Sequence, residues 1–230
     1  MKHQLAEIFH SYQGEGAYVG KPMMFIRFAG CSVGKYGSLG QDKPAMCTAW
    51  SGHGFECDTD YRKHFTLGTE EILKCCKYDT ICLTGGEPLD RDLEELVDRA
   101  HELSLRVHVE TSGTVYKTWV EKVDWLVVSP KIKVLDQMLK LCHELRMVYD
   151  LSWWSASFDS TQRRMRDMVA CALARIKEPP YLPRPCVIYV SPINNYDSLN
   201  NDNLEGVKRL LEHNNSWRLS CQMHKLLKVR

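Results

Sequence analysis

The chain has 230 residues, a net charge of +1, 44% hydrophobic residues and 26% charged ones, the proportions of an ordinary globular domain. Such a balance gives no support to a nucleic-acid or anionic-membrane partner, and no apolar run reaches the roughly 18 residues that span a bilayer. The N-terminus MKHQLAEIFHSYQGEG lacks the apolar stretch of a secretion signal. The ten cysteines therefore read as reduced thiols, metal ligands or small core residues rather than disulfides, and a reducing cytoplasm is the expected compartment.

In chain order, residues 11–16 (SYQGEG) set two glycines around a glutamate and predict a tight, exposed turn. Residues 23–29 (MMFIRFA) predict a buried strand. Its one charge, Arg27, either faces solvent at a strand edge or needs a partner or ligand, because an unpaired buried cation is costly. Residues 31–60 carry Cys31, Cys47 and Cys57 and end on Asp58-Thr59-Asp60. The glycine-rich part, 32–56, shows no periodicity and predicts a long functional loop.

Residues 69–77 predict a helix with Thr69 as N-cap, followed by Glu70 and Glu71. Cys75 and Cys76 in its last turn point in different directions and count as core or surface thiols. A strand at 79–83, a turn at 84–88 (TGGEP) and an amphipathic helix at 92–103 follow. The strand at 105–109 runs into Glu110-Thr111-Ser112-Gly113, and that at 125–128 into Ser129-Pro130-Lys131. A helix at 134–143 and a strand at 145–149 come next. Residues 151–183 begin with an aromatic, turn-rich stretch. A helix at 161–177 follows, with Arg163, Arg164, Arg166 and Arg175 on a solvated face. A strand at 186–191, a helix at 203–213 and a last strand at 217–222 reach Met223-His224-Lys225. No repeat or linker divides the chain, so one domain over 1–230 is expected. Alternating strands and helices imply an α/β fold with a parallel sheet or partial barrel, in which motifs at strand C-terminal ends share one functional face.

Three thiolates without a nearby fourth cysteine suggest a metal site with one open corner. An iron–sulfur cluster is one reading; a zinc site completed by His53 or His64 is another; three thiols without metal is the third. The turn at 84–88 bears on this choice. Glycines after a strand let backbone approach a ligand, and Glu87 could accept from an ammonium group.

The pieces YQGEG (12–16), FIRFAGC (25–31), CDTD (57–60), LTGGEP (83–88), ETSG (110–113), SPK (129–131) and WRLSCQMHK (217–225) occur in order along almost the whole chain. In this the sequence resembles the radical S-adenosylmethionine enzymes, and within them the 7-carboxy-7-deazaguanine synthase family. The resemblance implies a partial (β/α) barrel with an expanded cluster-binding loop. It implies a lyase reaction, the radical ring contraction of 6-carboxy-5,6,7,8-tetrahydropterin in queuosine-type biosynthesis. A 4Fe-4S cluster on Cys31, Cys47 and Cys57 is implied, with S-adenosylmethionine on its open iron and Mg²⁺ at Thr59.

By position, Gly85, Gly86 and Glu87 would hold the methionine end of that cofactor. Ser112, Ser129, Lys131 and Gln222 would contact its ribose, carboxylate or adenine edge. Gln13, Gly14, Glu15 and His224 would read the pterin, and Arg27 would pair with its carboxylate. An electron donor such as flavodoxin and a homodimer are further expectations. The cysteine gaps, 15 and 9 residues, are longer than the compact superfamily pattern. Glu56 stands where that pattern has an aromatic residue near adenine, so Phe55 or Trp50 is the expected substitute. Residues 32–56 and about 151–183 have no counterpart in the resemblance. A glycyl-radical activating enzyme and a zinc-stabilised binding module are the alternatives.

Overall fold

The fold is seen in a computed structural model that describes residues 1–34, 45–57, 60, 64–131, 133–152, 158–173, 186–194 and 198–229. Its strands are β1 (Lys2–Tyr12), β2 (Pro22–Phe28), β3 (Met46–Thr48), β4 (Gly54–Glu56), β5 (Phe65–Gly68), β6 (Thr80–Gly85), β7 (Arg106–Thr111), β8 (Trp125–Val128), β9 (Glu144–Tyr149), β10 (Val187–Pro192) and β11 (Arg218–Leu219). The helices are α1 (Thr69–Lys74), α2 (Glu94–Glu102), α3 (Asp136–Leu141), α4 (Phe158–Leu173), α5 (Asn201–Glu212) and α6 (Met223–Leu226). Nine strands form one sheet in the order β11-β10-β9-β8-β7-β6-β2-β1-β5, and β3 and β4 pair separately as a hairpin. From β2 to β11 the neighbours are parallel, while β1 runs antiparallel to β2 and to β5.

Successive strand residues face opposite sides of a sheet, and this alternation builds the molecule. On β2, Met24, Ile26 and Phe28 join the main core, which also holds Leu83, Val109, Leu126 and Leu145 from the neighbouring strands and Leu96 and Val97 of α2. The alternate residues Met23 and Phe25 form a small cluster with Cys82 on the other side. Further along the same side stand Arg27, Thr84, Glu110 and Arg146, which line a cavity at the strand C-terminal ends. No helix among the described residues is long and apolar enough to cross a membrane.

Four expectations need correction. β2 lies between β1 and β6, so Arg27 is not on an edge strand. The cap of α1 is Gly68; the Thr69 hydroxyl instead donates to Glu95 at 2.7 Å, beside His3 Nε2 at 3.1 Å. Residues 32–56 are not all irregular, because 46–56 hold the β3–β4 hairpin. The last strand is only Arg218–Leu219. Its continuation turns away: Ser220 Oγ accepts from Gly16 N–H and Met223 N–H donates to Gly14 O, tying the C-terminus to the N-terminal turn.

β1 has no signature in the sequence because a bulge between Leu5 and Glu7 breaks its alternation. Of the basic face expected at 161–177, Arg163 and Arg166 are exposed on α4 while Met165, Met168 and Val169 pack inward; Arg175 lies outside the described residues.

Candidate active site

The three cysteines and every described residue that the resemblance assigns to cofactor or substrate, Trp50 apart, line one cavity of about 540 Å³ at the C-terminal ends of the parallel strands. Thr59, the expected Mg²⁺ ligand, lies outside the described residues. A cavity of about 590 Å³ between α4 and α5 is lined by Met165, Leu210 and Trp217 and reaches none of the residues given a ligand, cofactor or substrate role.

Cys31 sits at the exit of β2, directly against the turn after β6. A Cβ added to Gly86 would fall 1.7 Å from Gly30 O and 3.3 Å from the Cys31 Cβ. A Cβ on Gly85, at φ +105°, would fall 2.5 Å from Phe28 N. Both glycines are therefore demanded by the neighbouring strand exit, whose backbone they touch. Two residues missed in the sequence complete the joint. Arg91 donates to Ala29 O and, at 2.9 Å, to Glu87 O; Asp90 accepts from Ser32 N–H at 2.8 Å and Ser32 Oγ at 2.6 Å. Burial pushes the Cys31 thiol up from its ordinary value, against the Gly34 and Val33 N–H groups that favour the thiolate.

Cys47 and Cys57 come from the hairpin. Cys47 is paired with Phe55, and Cys57 N–H donates to Ala45 O at 2.7 Å. Residues 45, 47, 55 and 57 thus share one face of the ribbon, by the two-residue period of strands. This reversal brings Cys47 and Cys57 to the same face despite the nine residues between them. The hairpin docks on the exit of β8 through a bridge between Ala49 and Lys131. Lys131 Nζ lies 5.3 Å from the Phe55 ring centroid and 3.4 Å from Ser129 Oγ. Trp50 cannot face a ligand here: it is fully buried in the core, its Nε1 donating to Val148 O at 3.0 Å. Phe55 lines the cavity. Neither His53 nor His64 does. Among the described residues no three Cys, His, Asp or Glu side chains stand together as a cage for a single metal ion. The sulfur donors on the wall are three thiols, the ligand type an iron–sulfur cluster takes.

Glu87 is 2% exposed and its carboxylate is committed. Oε1 accepts from Leu89 N–H at 3.1 Å and Thr111 Oγ1 at 2.6 Å; Oε2 accepts from Ser112 N–H at 2.9 Å and from Ser112 Oγ. The side chain braces the β6 and β7 exits against each other, and the turn's backbone is what faces the cavity.

The opposite wall is charged. Arg146 contacts Glu144, Glu15 and Glu110, and Gln13 donates to Glu110 at 3.0 Å. Gly16 (φ +70°) makes room for this knot, since a Cβ there would lie 1.9 Å from Glu144 Oε1. A Cβ on Gly14 would lie 1.9 Å from His224 Nδ1, so the imidazole packs flush on that turn. Arg27 is 3.3 Å from Glu7 across the β1–β2 pair, and its guanidinium sits 5.1 Å from the Phe9 ring centroid. At the exit of β10, Ser191 Oγ and both amide atoms of Asn194 are buried, line the cavity and lack a partner among the described residues. Buried polar atoms are rarely left so, and these two residues, which no sequence motif flagged, are suited to meet a polar ligand.

A partial parallel barrel with one thiol at the exit of β2, two more on the docked hairpin and a Gly-Gly-Glu-Pro turn beside them is the arrangement of a radical S-adenosylmethionine enzyme. The crystal structure of QueE from Escherichia coli matches this fold with a TM-score of 0.70, covering 97% of this chain and 95% of that one at 24% identity. The 7-carboxy-7-deazaguanine synthase of Bacteroides thetaiotaomicron is 30% identical over 233 residues, all of both chains. That of Synechocystis sp. is 30% identical over 234 residues, 100% of this chain and 95% of its own. No protein-family model matches the chain. The chain belongs to the 7-carboxy-7-deazaguanine synthase family. Membership sets aside the glycyl-radical activating enzyme and the zinc-stabilised module.

Proposed function

We propose that this chain converts 6-carboxy-5,6,7,8-tetrahydropterin to 7-carboxy-7-deazaguanine with release of ammonia, a carbon–nitrogen lyase step of queuosine-type biosynthesis. The observation that carries this reading is the single cavity in which the three thiols, the Gly85-Gly86 turn and the Gln13–Gly16 turn meet. Cys31, Cys47 and Cys57 would hold a 4Fe-4S cluster, which together with S-adenosylmethionine would supply the radical chemistry.

The chain's own residues bind and orient. Lys131 offers a cation to the cofactor carboxylate and Phe55 a face to its adenine. Gly85, Gly86, Glu87, Ser112, Ser129 and Gln222 enclose its methionine and ribose, with Ser191 and Asn194 adding polar contacts at the β10 exit. Gln13, Gly14, Glu15 and His224 hold the pterin edge. Arg27 exchanges or shares Glu7 for the substrate carboxylate, and Thr59 would hold a Mg²⁺ that would supply positive charge to the same group. Residues 1–230 act as one domain, as a cytoplasmic homodimer reduced by a flavodoxin-type donor.

The test is anaerobic incubation of the reconstituted protein with reductant, S-adenosylmethionine and the tetrahydropterin. The deazaguanine product is expected; cofactor cleavage without it, or one zinc and no acid-labile sulfide in the protein, overturns the reading. Arg27→Ala is expected to weaken substrate binding by roughly 10- to 100-fold, the value of a charge-assisted hydrogen bond. Unchanged affinity would remove the carboxylate role. Cys47→Ala should abolish cluster assembly, read as loss of the brown chromophore.

A further inference from the structure

Arg146 has no part in the roles given above, yet it joins three carboxylates. Its side chain is 7% exposed. Nε and Nη2 hold Glu144 Oε1 at 2.9 and 2.8 Å, and Glu144 Oε2 accepts from Ala17 N–H at 3.1 Å and Trp125 Nε1 at 3.3 Å. Glu144 is thus a fully internal counter-ion. Nη1 is shared by Glu15 Oε2 at 2.8 Å and Glu110 Oε1 at 3.1 Å, both on the cavity wall.

One guanidinium shared among three carboxylates leaves Glu15 and Glu110 with acceptor capacity towards the cavity. Glu110 Oε2 has only Thr84 Oγ1 at 3.4 Å, and Glu15 Oε1 has no partner among the described residues. Burial works to raise the Glu110 carboxyl, but the Arg146 guanidinium and Gln13 outweigh it and hold it below the ordinary range. An independent sign of a polar ligand is Ser191 Oγ, 2% exposed and unpartnered on the same cavity.

We propose that Arg146 is a positioning residue that clamps Glu15 and Glu110 side by side as carboxylates, and so selects substrates with an amino-substituted, guanidine-like ring edge over those with an oxygen there. This rests on the pterin reading of the cavity and deepens it. A 2-amino group and the adjacent ring N–H would meet two acceptors. A 2-oxo ring keeps its ring N–H but sets a carbonyl lone pair against the carboxylate that would accept from the amino group, and a site built to accept at that position disfavours it.

The test compares binding of the tetrahydropterin substrate and its 2-oxo counterpart to the full-length, cluster-loaded protein with S-adenosylmethionine and no reductant. The wild type is expected to prefer the amino compound by about 100-fold or more, in line with hydrogen-bonded discrimination. Arg146→Met/Glu144→Gln removes both buried charges together, so neither is left unpaired. It is expected to bind S-adenosylmethionine as before while its preference falls below about tenfold. Arg146→Lys keeps the charge without the planar fork and should fall between. Glu110→Gln should also bring the preference below about tenfold, and it decides the matter should the double variant not fold. Equal binding of both compounds by a wild type that still forms product overturns the clamp alone, as does a preserved preference in the double variant or in Glu110→Gln. A wild type that binds neither compound overturns the pterin reading and the clamp with it.

Discussion

Glu87 and Glu144 are both buried carboxylates, 2% and 1% exposed, and they are stabilised by opposite means. Among the described residues Glu87 is held by neutral donors, two backbone N–H groups and two hydroxyls, all from residues 89 to 112. Glu144 is held by a guanidinium that reaches back to Glu15, 131 residues away in sequence. The first knot is complete and braces one corner of the sheet. The second carries more negative than positive charge and opens onto the cavity. The contrast separates a carboxylate that builds the site from carboxylates that remain for a ligand.

The largest effect should come from cutting the charged knot. Arg146→Met leaves Glu144 buried and unpaired and is expected to lose about 3–5 kcal/mol in denaturant unfolding. Adding Glu144→Gln should recover most of that loss; a single variant no less stable than the double would erase the distinction between the knots. Glu87→Gln places an amide against donors and is expected to cost about 2–3 kcal/mol, with no rescue from any charge change. Thr111→Val removes one neutral donor from Glu87 and should cost about 1 kcal/mol; a loss as large as that of Arg146→Met would mean the neutral knot is not built from separable bonds.

The smallest effect is on acid stability. The folded Glu110 carboxyl lies below its ordinary 4.5, so the folded state binds fewer protons. Its contribution is present above that ordinary value and is lost as pH falls through the lower folded one. Glu110→Gln should flatten the acid limb of a stability–pH curve, and an unchanged slope would show that Arg146 does not favour the ionised form.

Much of the framework could be read from the chain. The strand at Trp125–Val128 has the same bounds in sequence and structure, because an apolar run bounded by polar turns leaves little choice. β9 is only half read. Its apolar residues Leu145 and Met147 announce a strand, but the alternating charges Glu144 and Arg146 were the signal for a polar inner face. β1 is hidden by its bulge, and the hairpin at 46–56 is too short for periodicity to register. The glycines at 85 and 86 signalled close approach, and the structure shows them in contact with the backbone of the β2 exit.

The sequence by itself determined the alternation of strands and helices, the three thiols and the ordered motifs at strand ends, since these depend on local period and residue type. Only the tertiary structure decided that Phe55 and not Trp50 faces the cavity, that Glu87 spends its oxygens internally, and that Gly14 meets His224. It alone joined Arg146 to Glu15 and Glu110. These pairings depend on sheet order and strand register, which bring residues more than a hundred positions apart within hydrogen-bond reach and which no local pattern encodes.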